Sequence, residues 1–295
     1  MKVAVLILNW NGKADLLECL GSVSSVDLEG WDAHIVVVDN GSTDGSQESI
    51  RTRFPEAVLI QNPSNLGFAE GNNRALDWVR DQAIDFVIFL NNDTTVEPES
   101  FRLMLEEARR PGVGAVMPLI RHHGSDEVWC AGLRMIEPLG RIQPVTVPPA
   151  SEPYTTDLFT ACCVAIPVAV LEDVGEFDPR YFLYLEDSDL ALRMRRRGYE
   201  IRVEPRAVIS HKVSRSSGGS VSPEVLYYCV RNNLLFIRDW SAGLRRAVGY
   251  AYVSALSAKI MLNPFLRRLP RKVDTIAAVG QAWHDFIRGR LGQRT

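Results

Sequence analysis

Val3-Ala4-Val5-Leu6-Ile7-Leu8-Asn9-Trp10-Asn11-Gly12 runs six apolar residues into a small, polar terminus. The run is too short for a signal-peptide core, and far short of the roughly 18 apolar residues of a membrane span. It reads as a buried strand whose carboxyl end carries the four polar and small residues. The same design recurs downstream. Residues 34–38 deliver Asp39-Asn40-Gly41-Ser42-Thr43-Asp44-Gly45, residues 58–60 deliver Asn62-Pro63-Ser64-Asn65-Leu66-Gly67, and residues 85–90 deliver Asn91-Asn92-Asp93. Residues 114–117 form a fifth apolar run, and helical spacing occupies 16–23, 46–54, 68–79 and 99–108 between the strands. Strands alternating with helices predict an α/β fold, a parallel sheet covered on both faces. Ligands bind beyond the carboxyl ends of such strands. Turn chemistry alone explains any one of these polar ends; four on one edge predict a binding crevice.

Beyond residue 117 the pattern is less regular. A strand-rich excursion holds Trp129 to Ile136, residues 158–166 are strand-like, and Pro167 opens a short helix. Glu186-Asp187-Ser188-Asp189 opens a helix that Gly198 stops. Short strands at 201–203 and 207–209 lead to His211, and a Gly/Ser-rich stretch covers 214–222. Helices are expected over 223–240, 244–262 and 273–290.

The 295 residues are 46% hydrophobic and carry a net charge of −3, which describes a soluble globular chain and excludes a generic nucleic-acid binder. The charge is unevenly divided. Residues 241–295 hold ten basic and two acidic side chains, a balance of +8 that leaves −11 for residues 1–240. Such a tail is either a solvated face or a basic amphipathic surface resting on anionic lipid, with Tyr250, Tyr252, Ile260, Leu262, Phe265, Leu266, Trp283 and Phe286 as anchors. The five cysteines are odd in number and include no Cys-x-x-Cys pair, so a reducing, cytoplasmic setting is expected.

Neither a Gly-x-Gly-x-x-Gly fingerprint nor a P-loop is present. Asp39 is placed to accept from a ribose hydroxyl or a base N–H; its alternative is an Asx turn or an N-cap feeding the next helix, and Asp44 suits the cap role better. Asp93 is placed for Mg²⁺ or Mn²⁺ bridging a diphosphate, or for a turn before the helix primed by Pro98. Asn73 and Arg74, near the start of a Gly-rich helix, are costly to bury without partners. Glu186, Asp187 and Asp189 read either as helix-dipole partners of Arg193 to Arg197 or as the source of a general base, beside the aromatic-rich stretch 177–185. His211 is structural, or a nitrogen ligand completing a metal site.

Taken in order over residues 3–240, these motifs and Tyr228-x-x-Arg231-Asn232 make the chain resemble a family 2 inverting glycosyltransferase of the GT-A fold, in the bacterial rhamnosyltransferase-like branch. The resemblance implies an α/β architecture, a mixed, mainly parallel sheet flanked by helices, with C-terminal helices added. It implies a catalytic domain over 1–240, with a nucleotide-sugar-binding half (1–117) and an acceptor and catalytic half (118–240), then a basic amphipathic helical tail (241–295). Asn9, Trp10, Asn11 and Asp39 would hold the nucleoside of the donor, with Asn65, Gly67, Asn73, Asn91 and Asn92 completing that site. Asp93 and His211 would bind Mn²⁺ or Mg²⁺; Asn91 stands where the family's Asp-x-Asp motif has its first aspartate. Asp187 matches the catalytic base, supported by Glu186 and Asp189, and Trp129 and Tyr184 would line the sugar or acceptor pocket. The implied reaction moves a sugar from a dTDP- or UDP-linked donor, rhamnose being favoured, to a glycan or lipid-linked acceptor in cell-surface polysaccharide synthesis. The expected location is cytoplasmic, and peripheral at the inner face of the cell membrane if the basic tail rests on anionic lipid rather than packing on the domain. A sugar nucleotidyltransferase and a non-catalytic nucleotide-sugar-binding module are the competing classes. Against the first, no basic Gly-rich loop follows strand one; against the second stands the intact set of Asp93, Asp187 and His211.

Overall fold

The apolar run that opens the chain becomes β1 (Lys2–Asn9), buried on both faces from Val3 to Ile7. The computed structural model describes residues 1–136, 141–213, 222–262 and 272–294. After β1 come α1 (Lys13–Val23), β2 (Asp32–Asp39), α2 (Ser46–Arg53), β3 (Val58–Gln61), α3 (Gly67–Asp81), β4 (Phe86–Asn91), β5 (Thr94–Val96), α4 (Ser100–Ala108) and β6 (Val113–His122). Then follow β7 (Val128–Cys130), β8 (Leu133–Ile136), β9 (Arg141–Pro144), β10 (Tyr154–Thr155), β11 (Cys163–Pro167), α5 (Val168–Val174), α6 (Glu186–Arg196) and β12 (Glu200–His211). The last helices are α7 (Pro223–Trp240), α8 (Gly243–Leu262) and α9 (Lys272–Arg288).

The main sheet has the order β10-β12-β6-β11-β4-β1-β2-β3, with β5 on β12 and β7 on β6. The β4-β1-β2-β3 half is parallel, as the alternation of strands and helices requires. β11 runs antiparallel between β4 and β6, and β12 is parallel to β6. The sheet is therefore mixed and mainly parallel. Register aligns the polar strand ends: Asn9 pairs with Asp39, Asp39 with Gln61, and Leu8 with Asn91. The expected crevice edge is thus one continuous row.

The strands differ from the sequence reading in several places: β9 and β10 form where a loop was expected after Ile136. β12 is one strand rather than two; the interruption at Pro205 is absorbed by a register shift between Glu204 and Val208, a bulge that a proline tolerates. β5 was not expected, because three residues carry no readable period. It exists through antiparallel pairing with the end of β12, with Thr94 opposite His211.

By packing, the chain divides into two compact units. The first comprises Met1–Arg134, Pro144–Pro179 and Glu186–Val213; the second comprises Met135–Gln143, Arg180–Leu185 and Ser214–Thr295. The expected border at 240/241 followed charge, whereas the core of the second unit runs across it. Tyr227, Tyr228, Leu234 and Ile237 of α7 pack with Val253 of α8 and with Ala278, Val279 and Ala282 of α9. Of the sequence features named above, residues 214–221 and Phe265, Leu266, Arg267, Arg268 and Arg271 lie outside the described residues.

Candidate active site

Asn9 and Asp39, paired in register, are both fully buried. Asn9 Nδ2 donates to Asp39 Oδ1 and to Ser42 Oγ, each at 3.2 Å. Asp39 Oδ2 accepts from Ser42 N at 2.9 Å and from Gln47 Nε2 at 2.6 Å. Asp44 is not the cap of α2, a position Gly45 takes; it makes a turn instead, accepting from Ser46 N and Lys13 N. Asp39 is nonetheless not left open for a ligand. A buried carboxylate must be compensated, and the loop after β2 wraps it with donors. Gln47 carries no sequence signal, since only the tertiary turn brings its amide to Asp39. Asn9 Oδ1 accepts from Asn92 Nδ2 at 2.8 Å, which joins the ends of β1 and β4. Asn11, left-handed at φ 51°, accepts from Thr43 N at 2.8 Å. Trp10 stays 47% exposed.

The start of α3 serves packing first. Asn65 Oδ1 accepts from Gly67 N at 2.9 Å, and Gly67 O accepts from Asn40 Nδ2 at 2.9 Å. A Cβ on Gly71 would lie 2.7 Å from Leu8 Cδ1, so helix and sheet meet only at a glycine. Asn73, expected at the donor, spends both amide groups on one backbone position. Its Nδ2 donates to Phe177 O at 2.8 Å, and Phe177 N donates to its Oδ1 at 3.2 Å.

The metal candidates are 118 positions apart in sequence and meet because β5 pairs with β12. His211 Nε2 lies 3.1 Å from Asp93 Oδ1, with the two residues 7% and 4% exposed. Trp129 packs edge-on against the His211 ring, centroids 4.9 Å apart. Lys212 N donates to Asp93 O at 3.0 Å, and its ammonium reaches Asp15 and Glu18 of α1 at 2.6 Å each. His211 Nδ1 is buried and has no partner among the described residues. These groups fit a divalent ion. The oxygen–nitrogen separation is one that two adjacent ligands of an octahedral ion also have, and a carboxylate suits Mg²⁺ or Mn²⁺. Among the described residues no third His, Cys, Asp or Glu converges on them. The other positions would fall to ligand oxygens, as is usual for Mg²⁺ beside phosphates.

Glu186 and Asp187 open α6. Glu186 is buried, and its Oε2 has no partner among the described residues. Burial pushes its carboxyl well above the usual range, and the neighbouring Asp187 charge adds to that. Half-buried Asp187 is also raised by burial, but donors oppose the rise. Its Oδ2 accepts from Ala161 N at 3.2 Å, and its Oδ1 from Ser188 N at 2.7 Å and Ser188 Oγ at 3.1 Å. Adjacent carboxyls resist ionising together. The donors around Asp187 favour its ionised form, the form suited to proton abstraction, whereas burial favours the protonated form of Glu186. Asp189 takes the helix-pairing role. It accepts from Arg193 Nε at 2.9 Å, while that guanidinium also donates to Val174 O and Glu176 O. Tyr184 belongs to the second unit, where it packs on the α7–α9 cluster.

Residues 4–175 match the profile of glycosyl transferase family 2. The chain is similar to the N-acetylglucosaminyl-diphospho-decaprenol L-rhamnosyltransferase of Mycobacterium tuberculosis, 28% identical over 269 residues, covering 81% of this chain and 86% of that one. It is similar also to the poly-beta-1,6-N-acetyl-D-glucosamine synthase of Staphylococcus epidermidis, 23% identical over 244 residues, 81% of this chain and 57% of the relative. Among solved structures, GalNAc-T7 with UDP, GalNAc and Mn²⁺ superposes with a TM-score of 0.69 at 16% identity, over 98% of this chain and 56% of that one. The mannosyltransferase PcManGT of Pyrobaculum calidifontis, with GDP-Man and Mn²⁺, gives 0.60 at 17% identity, over 98% and 87%. At such identities the likeness speaks for the fold, that of the GT-A glycosyltransferases. With its mixed, mainly parallel sheet and a family profile spanning more than half its length, the chain belongs to glycosyl transferase family 2 and is a glycosyltransferase of the GT-A fold.

Proposed function

We propose that the protein moves a sugar, with inversion, from a nucleotide-diphospho-sugar to a glycan or lipid-linked acceptor in cell-surface polysaccharide synthesis, assisted by Mn²⁺ or Mg²⁺. The observation that carries this reading is the buried pair Asp93 and His211 at the crevice edge, 3.1 Å apart. dTDP-rhamnose is the first donor to test, because the mycobacterial relative is an L-rhamnosyltransferase named for a lipid-linked acceptor. UDP-sugars come second, because GalNAc-T7 was solved with UDP.

Asp93 and His211 would hold the divalent ion, which when bound offsets the charge developing on the departing nucleoside diphosphate. Asn91 and Asn92 flank the diphosphate. Trp10 offers an exposed indole to the nucleoside, on a loop held in shape by Asp39, Asn9 and Asn11. Asp187 removes the proton of the acceptor hydroxyl as its oxygen attacks the anomeric carbon. Ala161 N–H and Ser188 orient that carboxylate. Glu186, protonated, adds no second negative charge beside the base. One displacement inverts the configuration.

The C-terminal helices support attachment to an anionic membrane face. Leu244, Leu262, Val273 and Ile287 are between 71% and 81% exposed, and Arg245 and Arg246 follow Leu244 directly. No helix among the described residues is long and apolar enough to cross a membrane.

Two variants test the reading, after a thermal-shift screen of dTDP-, UDP- and GDP-sugars with Mn²⁺ has identified the donor. Asp187→Asn loses about 10²- to 10⁴-fold in transfer while calorimetric nucleotide binding persists. Asp93→Ala abolishes the Mn²⁺ dependence of that binding. Transfer near wild type by Asp187→Asn overturns the base; wild-type affinity indifferent to Mn²⁺ overturns the metal site.

A further inference from the structure

Residues 180–185 run from Pro179 to Glu186, and their backbone is strained. Phe182 has φ 59°, Tyr184 72° and Leu185 72°, all in the left-handed region that favours glycine. Each such residue costs about 1–3 kcal/mol and persists only where its surroundings over-determine it.

The over-determination comes from two adjacent residues of α7. Asn232 is fully buried, and its amide nitrogen is shared among three carbonyls, Tyr181 O at 2.8 Å, Leu183 O at 2.7 Å and Tyr184 O at 2.8 Å. Arg231, also fully buried, donates through Nη2 to Tyr181 O at 2.9 Å and Arg180 O at 3.1 Å, and through Nη1 to Gly292 O. Its Nε and Nη2 both donate to Asn232 Oδ1, at 2.9 and 2.7 Å, which fixes the way the amide faces. The guanidinium lies over the Tyr227 and Tyr228 rings, 5.4 and 5.1 Å from their centroids. Among the described residues no carboxylate pairs with it. A buried cation held by carbonyls is a poor stabiliser, and apolar side chains of similar volume commonly do as well. Geometry is the better reason for these two residues to be there, because nearly every group they offer is used on the loop or on each other.

We infer that Asn232, oriented by Arg231, is a positioning residue for the transfer reaction: it holds the left-handed loop whose last residue is bonded to Glu186 in one backbone state, and so restricts the states open to the acid pair. This rests on Asp187 being the base.

Asn232→Asp keeps the volume and the oxygen that Arg231 needs but removes the three N–H contacts that Asn232 itself makes to the loop. The expected result is a kcat lower by about 10- to 100-fold, the scale of a misplaced reacting group. KM for the donor, and calorimetric affinity for dTDP or UDP with Mn²⁺, stay near wild type. Amide exchange across residues 180–189 speeds up. Asn232→Ser, with one hydroxyl donor, falls between, and serves if the aspartate variant does not fold. Asn233→Ala, which loses an amide bond to Cys229 O within α7, keeps wild-type kcat. Wild-type kcat in Asn232→Asp overturns the inference, as does a loss of nucleotide binding equal to the loss of kcat. Exchange is read without substrate and the base is read separately by Asp187→Asn, so a failed base assignment and a failed clamp give different results.

Discussion

Asp39→Ala and Asp39→Asn probe the knot that shapes the nucleoside side of the crevice. Asp39 receives three donors, from Asn9, Ser42 and Gln47. In the alanine variant two of them keep a second acceptor, since Asn9 Nδ2 also reaches Ser42 Oγ and Gln47 Nε2 also reaches Ser42 O. Ser42 N is left with none of these. Losing two charge-assisted bonds at about 1.5 kcal/mol or more each, with one orphaned N–H at about 1–3 kcal/mol, predicts a loss of about 4–7 kcal/mol. In the asparagine variant one oxygen can still serve Ser42 and Gln47, and the only conflict is an amide facing Asn9 Nδ2, about 1–3 kcal/mol. At roughly 2 °C per kcal/mol for a chain of this size, melting temperatures fall by about 8–14 °C and about 2–6 °C respectively. The conflict at Asn9 also passes on. Asn9 relieves it by turning its amide over, which sets Asn92 against the wrong group, because Asn9 Oδ1 now accepts from Asn92. Nucleotide affinity with Mn²⁺ therefore weakens in Asp39→Asn beyond what its melting temperature suggests. Differential scanning fluorimetry and calorimetry measure both. An alanine variant melting within about 2 °C of wild type, or below which the asparagine variant falls, refutes the reasoning.

Glu186→Gln tests where the proton sits. Burial raises the folded carboxyl above its ordinary value of 4.5, so the folded chain binds that proton more tightly than the unfolded one. Its stabilising contribution is complete below the ordinary value and is lost as pH rises through the raised folded value. Glutamine removes that loss, so the variant gains in melting temperature over wild type as pH rises; a difference that does not change with pH counts against the assignment. The basic helices are tested by Arg245→Glu with Arg246→Glu in the full chain, sedimented with phosphatidylserine/phosphatidylcholine vesicles. At about 1 kcal/mol per basic residue near the surface, two reversals weaken pelleting at least about 10-fold; equal pelleting of variant and wild type rejects a membrane role for those arginines.

The row of polar strand ends was legible because its cause is local. A strand buried on both faces must be apolar throughout and must turn polar where it leaves the sheet, and that contrast survives in sequence. Asp93 and His211 were legible one at a time, each with a bland alternative. What joins them is β5, whose three residues have no period to read. Gln47, Asn232 and Arg193 lay further out of reach. Their side chains act on backbone carbonyls or on a carboxylate brought near only by the fold, and no spacing in sequence records that. Asp39 was misread in one respect for the same reason: giving the cap to Asp44 leaves Asp39 without a local partner, but not without tertiary ones. In the tail, the change of charge at residue 241 is real in composition, yet the apolar face of α7 needs α8 and α9, so packing ignores it.

The acid cluster at the start of α6 shows why the two readings of such a motif need not compete. As helix-end acids, Glu186, Asp187 and Asp189 are interchangeable; in the folded chain they are not. Asp189 forms the i,i+4 pair with Arg193 that dipole complementation anticipates, and through it fastens Val174 and Glu176. Glu186 is buried with an oxygen that has no partner among the described residues, and burial favours its protonated form. Only Asp187 stays partly exposed, held by N–H groups that orient it without a cation to neutralise it. The same three acids thus divide between pairing along the helix and presenting an oriented carboxylate.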